Sequence, residues 1–129
     1  KSYGGCAIII DYGDDNLIGN TFQAVKNHKK IDALKLPGDS DLTAHVDFKE
    51  LTRDISEIMV TKTTSQGTLL ERLGINDRSK KLISNIPDHQ KNIHTNAMRR
   101  LTHPSEMGSL FKAIALYPSK SFPPAGFDL

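Results

Sequence analysis

Three short segments of this chain hold the side chains that could do chemistry. The first is Asp11-Tyr12, where an apolar run ends. A carboxylate there can accept hydrogen bonds from a cationic or hydroxylated ligand, and the adjoining ring can stack on a planar or cationic group. The second is Asp41-Leu42-Thr43-Ala44-His45-Val46-Asp47, two carboxylates and an imidazole running into a helix start. Asp47 has the type and place of an N-cap, with Glu50 three residues on. The free N–H groups of a helix N-terminus suit such a carboxylate. The third is Thr64-Ser65-Gln66-Gly67-Thr68, in which Gln66 could read an amide or a guanidinium through hydrogen bonds. Each has an ordinary alternative: a turn Asp beside a half-buried Tyr, a capping Asp beside a loop His, and a polar connection.

Other chemistries find little support. His89 and His94 stand five apart, about 140° around a helix, so they share no ligand face. No Cys/His cluster has zinc spacing, and no metal site is expected. There is no Gly-x-Ser-x-Gly elbow, and the lone Cys6 reads as a small buried strand residue rather than a nucleophile. Neither Gly-x-Gly-x-x-Gly nor a P-loop occurs; Gly4-Gly5 precedes a strand, whereas a nucleotide loop follows one and opens a helix.

The elements that must position these residues come from apolar periodicity. Gly4-Gly5-Cys6-Ala7-Ile8-Ile9-Ile10-Asp11-Tyr12-Gly13 reads as a buried strand of a mostly parallel sheet, with a loop taking over at its carboxyl end. Ligands of open α/β sheets bind at that end. Thr21 to Ile31 mixes strand and helix signals, and Lys35 to Ser40 is a loop. Phe48, Leu51, Ile55 and Ile58 follow Asp47 at helical spacing, and residues 58–63 then read as a short strand. A helix from Thr68 stops at Gly74, Asn76 caps a second with Leu82, Ile83 and Ile86 on its buried side, and Pro87 ends it. Asp88 to Leu101 is a third, a short helical piece runs to Leu110, Lys112 to Tyr117 is a strand, and the proline-bearing tail is a loop. The pattern is α/β with roughly three strands and four to five helices, few strands for a whole sheet.

Composition narrows the classes further. The chain has 129 residues, enough for one domain, with 37% hydrophobic residues and no Trp, a lean supply of core material. A net charge of +2 gives no reason to expect nucleic acid as partner. One cysteine permits no internal disulfide and fits a reducing compartment. No apolar stretch approaches the roughly 20 residues of a membrane span, and no signal-peptide pattern is present. The first residue is Lys, so the chain is not expected to be a complete translation product.

Ordered blocks carry a family resemblance. They are Gly4-Gly5-x-Ala7-x-Ile9-Ile10-Asp11-Tyr12-Gly13; Thr21-x-Gln23-Ala24-Val25-x-x-His28; Pro37-Gly38-x-x-Asp41-Leu42-Thr43-Ala44-His45-Val46-Asp47-Phe48; Gln66-Gly67 with Leu73-Gly74-Ile75; and Met107-Gly108-x-Leu110-Phe111-Lys112. Together they resemble the MidA family of S-adenosylmethionine-dependent methyltransferases, whose mitochondrial members assist assembly of respiratory complex I. The resemblance implies the carboxyl-terminal part of a class I Rossmann-like methyltransferase sheet, incomplete. The opening strand would be its fifth, and the strands near Ile58 and Ala113 its last two. Residues 1–129 would form one portion of a single methyltransferase domain whose amino-terminal, cofactor-binding half is absent. The family's glycine-rich loop, the acidic residue after its second strand and its Asn-Glu-Phe-type segment have no counterpart here, so the main S-adenosylmethionine contacts cannot be assigned to residues.

The implied reaction is methyl transfer to a protein arginine, on a complex I iron-sulfur subunit in the mitochondrial case. Asp11, Asp41 and Asp47 would be the catalytic carboxylates, drawing the guanidinium's positive charge, and Tyr12, His45 and Gln66 would shape the substrate pocket. The setting would be cytoplasmic in a bacterium and mitochondrial in a eukaryote. The chain alone is not expected to turn over, and the alternative is a truncated, non-catalytic remnant or small binding protein of the same fold.

Overall fold

The structure, a computed structural model, describes residues 4–127. The Ile8-Ile9-Ile10 run, β-branched and suited to a pleated backbone, lies in strand β1 (Ala7–Asp14). β1 runs on through Asp11 and Tyr12 to Asp14, so Asp11 sits within the strand and not at its end. Cys6 precedes the first ladder pair and is exposed, not buried as expected.

A second, unexpected sheet follows. β2 (Gln23–Lys26) and β3 (Lys29–Ile31) form a hairpin, and β4 (Asp41–Thr43) adds to the other edge of β2. The two-residue turn is Asn27-His28, both at positive φ (51° and 61°), the geometry of a type I′ turn. His in place of the usual Gly hides the hairpin signal in the sequence. Ala24, with no exposed surface, is the one buried residue of this sheet.

The chain then returns to β1. β5 (Val46–Asp47) pairs in parallel with Gly13 and Asp14, and helix α1 (Phe48–Thr52) follows at once. The Glu50 N–H donates to Asp47 Oδ1 at 3.0 Å, the cap read from the sequence. The helix stops at Thr52, well short of Ile55 and Ile58; only Phe48 of the expected stripe is buried.

Of the strand read at residues 58–63 only β6 (Met59–Val60) forms, and β7 (Thr64–Ser65) follows beyond it after a break. Thr61 explains the break. Its N–H donates to the Ala115 carbonyl at 3.0 Å, while its own hydroxyl accepts the Ala115 N–H at 2.9 Å. A side-chain oxygen thus takes the bond that a strand carbonyl would take, and residues 61–63 bow out of the ladder.

Three helices come next: α2 (Gln66–Arg72), α3 (Ile75–Ile83) and α4 (Asp88–Thr102). Gly74, at φ +81°, makes the left-handed step between the first two and stands at the N-cap of α3, the place expected for Asn76. A wide helical turn, Pro104–Gly108, leads into the last strand, β8 (Phe111–Tyr117).

β8 is the centre of the main sheet. It pairs antiparallel with β1 from Ala7↔Leu116 to Tyr12↔Phe111, and on its other edge with β6 and β7. The order is β5-β1-β8-β6, with β7 also on β8. Ala113 and Ala115 pack on Leu69 of α2 and on Phe127 of the tail. Their small size brings helix and tail close to the sheet.

β1 is much less covered. Between Ala7 and Tyr12 its second edge has no partner among the described residues, and Ile8 and Ile10 stay 52% and 46% exposed. Helix α4 buries none of its residues, and Ile93 is 69% exposed. The chain exposes 9476 Å² at 14.3 kDa, where about 6800 Å² is usual for a closed monomer of such mass.

One close approach locks the helices to β8. A Cβ on Gly108 would lie 2.0 Å from the Thr102 carbonyl oxygen and 2.8 Å from that of His103, both backbone atoms that cannot swing away. Gly108→Ala is expected to destabilise the fold by about 1–3 kcal/mol, read as a lower midpoint in urea unfolding.

Candidate functional site

The side chains singled out from the sequence do not all come together. Tyr12 and His45 stack near the carboxyl end of β1, where Asp47 is paired with Asp14; Asp11 precedes Tyr12 in the same strand and so stands on the opposite face of the sheet, and Asp41 and Gln66 lie elsewhere.

Tyr12 stands opposite Phe111 in the β1–β8 ladder, and their rings lie 4.0 Å apart between centroids at 36°. The His45 ring lies nearly parallel to Tyr12, with centroids 6.3 Å apart at 16°. The His45 N–H donates to Thr21 Oγ1 at 3.1 Å, which fixes the backbone that presents the imidazole. Three planar groups from distant parts of the sequence thus line one end of the sheet.

Carboxylates stand on the same stretch of backbone. Asp11 Oδ1 accepts the Tyr12 N–H at 2.7 Å, and Oδ2 has no partner among the described residues. Asp14 is the Cα partner of Asp47 across β1 and β5. Asp15 Oδ1 accepts from Thr63 Oγ1 at 2.5 Å. The cation seated among them is Lys112, whose Nζ lies 3.6 Å from Asp14 Oδ2 and donates to the Ser109 carbonyl at 2.6 Å. No group of three or more His, Cys, Asp or Glu among the described residues could hold one metal ion. Spread carboxylates beside stacked rings fit a larger, planar cation better than a point charge.

Sequence reasoning missed Asp14, Asp15, Phe111 and Lys112. The acidic pair falls in the stretch expected to be loop, because nothing local reveals that β5 extends the pairing to Asp14. Phe111-Lys112 was noticed only as part of a family block; its place opposite Tyr12 and Asp11 follows from a pairing about a hundred residues long in sequence separation.

The remaining candidates lie elsewhere. Asp41 is an exposed residue of β4 in the second sheet, opposite Val25, and no hydrogen bond or ion pair among the described residues ties it to Asp11 or Asp47. Gln66 is 8% exposed, and its Nε2 donates to the Leu101 carbonyl at 2.8 Å. Its amide nitrogen is engaged inside the fold, holding the end of α4 to the start of α2, so it does not face a ligand as expected.

The sheet is a mixed α/β one, and comparison with known proteins gives its class. Residues 1–68 match the family described as "Putative S-adenosyl-L-methionine-dependent methyltransferase", more than half of the 129 residues. The chain belongs to this S-adenosylmethionine-dependent methyltransferase family. It is 37% identical over 136 residues to the Drosophila melanogaster protein named "Protein arginine methyltransferase NDUFAF7 homolog, mitochondrial", covering 97% of this chain and 31% of that one. The human protein of the corresponding name is 36% identical over 118 residues, covering 89% of this chain and 26% of its own length. The chain therefore spans less than a third of either relative.

Two crystal structures of superfamily members from Burkholderia thailandensis have the same fold. One, of an uncharacterized protein, superposes at a TM-score of 0.81 with 29% identity over 97% of this chain and 36% of that one. The other, bound to S-adenosyl-homocysteine, superposes at 0.72 with 29% identity, covering 92% and 33%. The resemblance read from the ordered blocks and the expected Rossmann-like sheet both hold. No described helix is long and apolar enough to cross a membrane.

Gly13 joins β1 to β5 at the mouth, the carboxyl end of β1. A Cβ there would lie 2.0 Å from the Val46 carbonyl oxygen and 2.9 Å from Phe48 Cε2. Gly13→Ala must push β5 off β1 and carry Asp47 away from Asp14. We expect a loss of about 1–3 kcal/mol in urea unfolding, and amide shift changes concentrated at residues 45–48 in an ¹⁵N correlation spectrum.

Proposed function

We propose that this chain forms the acceptor-facing, carboxyl-terminal portion of a single S-adenosylmethionine-dependent protein-arginine methyltransferase domain. The observation that carries the reading is the end of β1, where the Tyr12–His45 stack lies two residues from the Asp14–Asp47 pairing, beside a strand edge with no partner among the described residues. A guanidinium is planar, cationic and rich in N–H donors, and it matches carboxylates and aromatic faces together. The relatives' names, which specify arginine methylation of protein, support the same acceptor.

The described residues do not fit the cofactor by themselves. Gly4 and Gly5 precede β1, and no glycine-rich turn leads from a strand into a helix with free backbone N–H groups for a carboxylate or ribose. The cofactor, which supplies the electrophilic methyl group, is assigned to the portion of the domain that would pair with the free edge of β1. The chain's own residues then have three tasks. Asp47 hydrogen-bonds the guanidinium and holds its charge in place, with Asp11 acting from the other face of β1; Tyr12 and His45 offer rings against which its plane packs; and Lys112 keeps Asp14 oriented. Asp41, on the neighbouring sheet, would meet the acceptor protein outside the mouth.

The acceptor is an arginine of a protein, assigned by family resemblance to an iron-sulfur subunit of complex I. The setting follows as mitochondrial in a eukaryote and cytoplasmic in a bacterium; the relatives named as mitochondrial support the first.

Titration calorimetry tests this reading. The chain alone should show no heat with S-adenosylmethionine. Co-folded with the amino-terminal portion of the Drosophila relative, it should bind the cofactor and methylate an arginine of the complex I subunit. Absence of binding in both cases would leave the non-catalytic alternative standing. In the assembled enzyme, Asp47→Asn keeps a good helix cap, so folding should persist. Methyl transfer should nevertheless fall about tenfold or more with cofactor affinity unchanged, as expected for loss of one charge-assisted contact to the acceptor.

A further inference from the structure

Helices α2, α3 and α4 enclose a cleft that the methyltransferase reading does not use. Its volume is about 370 Å³, within the range of small-molecule sites. The walls are aliphatic: Leu70, Leu73, Leu82 and Met98 among them. Three polar groups share it, Arg78, Ser79 and His94, and no Asp or Glu lines it.

The polar groups are pre-arranged. Ser79, 5% exposed, is the one buried residue of α3, and its Oγ lies 3.1 Å from His94 Nε2 on α4. This bond ties two helices that share few other contacts and fixes the imidazole beside the cavity. Arg78, next along α3, has no ion-pair or side-chain hydrogen-bond partner among the described residues. The carboxylates of α3 and α4 are paired: Asp77 with Lys80 at 3.8 Å and Asp88 with Lys91 at 2.6 Å. Between Ile75 and Thr102 the sequence holds Arg78, Lys80, Lys81, Lys91, Arg99 and Arg100 against Asp77 and Asp88 alone. The field around the cleft is positive, its body is apolar, and its free cation sits at one side.

We propose that this cleft binds an amphipathic monoanion: an aliphatic chain lying against Leu70, Leu82 and Met98, ending in a carboxylate held by Arg78 with Ser79 and His94 beside it. The proposal is independent of methyl transfer. It gives a use to α4, a 15-residue helix with no fully buried residue, and to an arginine without a side-chain partner among the described residues. A carboxylate matches the guanidinium fork, and burying the chain removes apolar wall from water.

The test uses the full 129-residue chain and methyl-resolved NMR titrations. Decanoate should shift the methyl resonances of Leu70, Leu82 and Met98 saturably, and decanol should bind about tenfold more weakly or less. Arg78→Gln, at an exposed position, should bring decanoate down to the affinity of decanol. Leu82→Trp should fill the cleft and abolish binding of both while the circular dichroism spectrum is kept. Phosphatidylglycerol vesicles separate a free acid from a lipid surface. Decanoate binding in their absence, together with failure of phosphatidylcholine vesicles to compete, supports the proposal. It is overturned if decanoate and decanol bind equally, if Arg78→Gln changes neither, or if the chain sediments with anionic vesicles and decanoate leaves the cleft methyls unmoved.

Discussion

The pairing of β8 along both its edges is the interaction on which the rest of the structure stands. Six registered pairs join it to β1, and four more join it to β6 and β7. Cross-strand neighbours contribute roughly 0.2–1 kcal/mol each, so the ladder as a whole outweighs any one contact at the mouth. The Asp14–Lys112 ion pair shows the contrast. At 3.6 Å, with Asp14 62% exposed, it orients a carboxylate more than it holds two strands together. Tyr12 faces Phe111, and α2 rests on Ala113 and Ala115, because the ladder puts them there. Widening either alanine would lift the helix and with it the Gln66 bond to the end of α4.

Legibility in the sequence followed the range of the interactions. β1 could be read because three isoleucines in a row leave few choices of backbone. The cap at Asp47, the left-handed step at Gly74 and the extent of α4 could be read because each is settled within about one helical turn. The short helix α1 could not, since its apolar stripe continues in the sequence past the point where the backbone turns away at Arg53. The second sheet hid behind a type I′ turn that uses His28 where glycine is customary. The split of the strand around Thr61 depends on a hydroxyl meeting an N–H fifty-four positions away, and no local pattern encodes that.

The candidate site was legible to the same limited degree. Residue type and family blocks single out Asp11, Tyr12, His45 and Asp47, and of these the fold stacks Tyr12 on His45 and pairs Asp47 with Asp14 close by. Gln66 and Gly67 stand in one of those blocks for packing reasons: the amide ties down α4, and a Cβ on Gly67 would meet the Thr102 carbonyl oxygen at 2.6 Å. Gly108, in a different block, approaches the same carbonyl. A short motif can therefore mark a helix crossing as readily as a pocket, and only geometry tells the two apart.

The order of strands has a further consequence for how the chain acquires its shape. Among the described strands, β1 comes first in the sequence and its long partner β8 comes last. Closing their ladder joins segments about a hundred residues apart, a separation that slows folding and leaves strand edges uncovered meanwhile. The speed at which this part of the chain folds is therefore set by how quickly two distant strands meet, more than by how tightly they hold once paired.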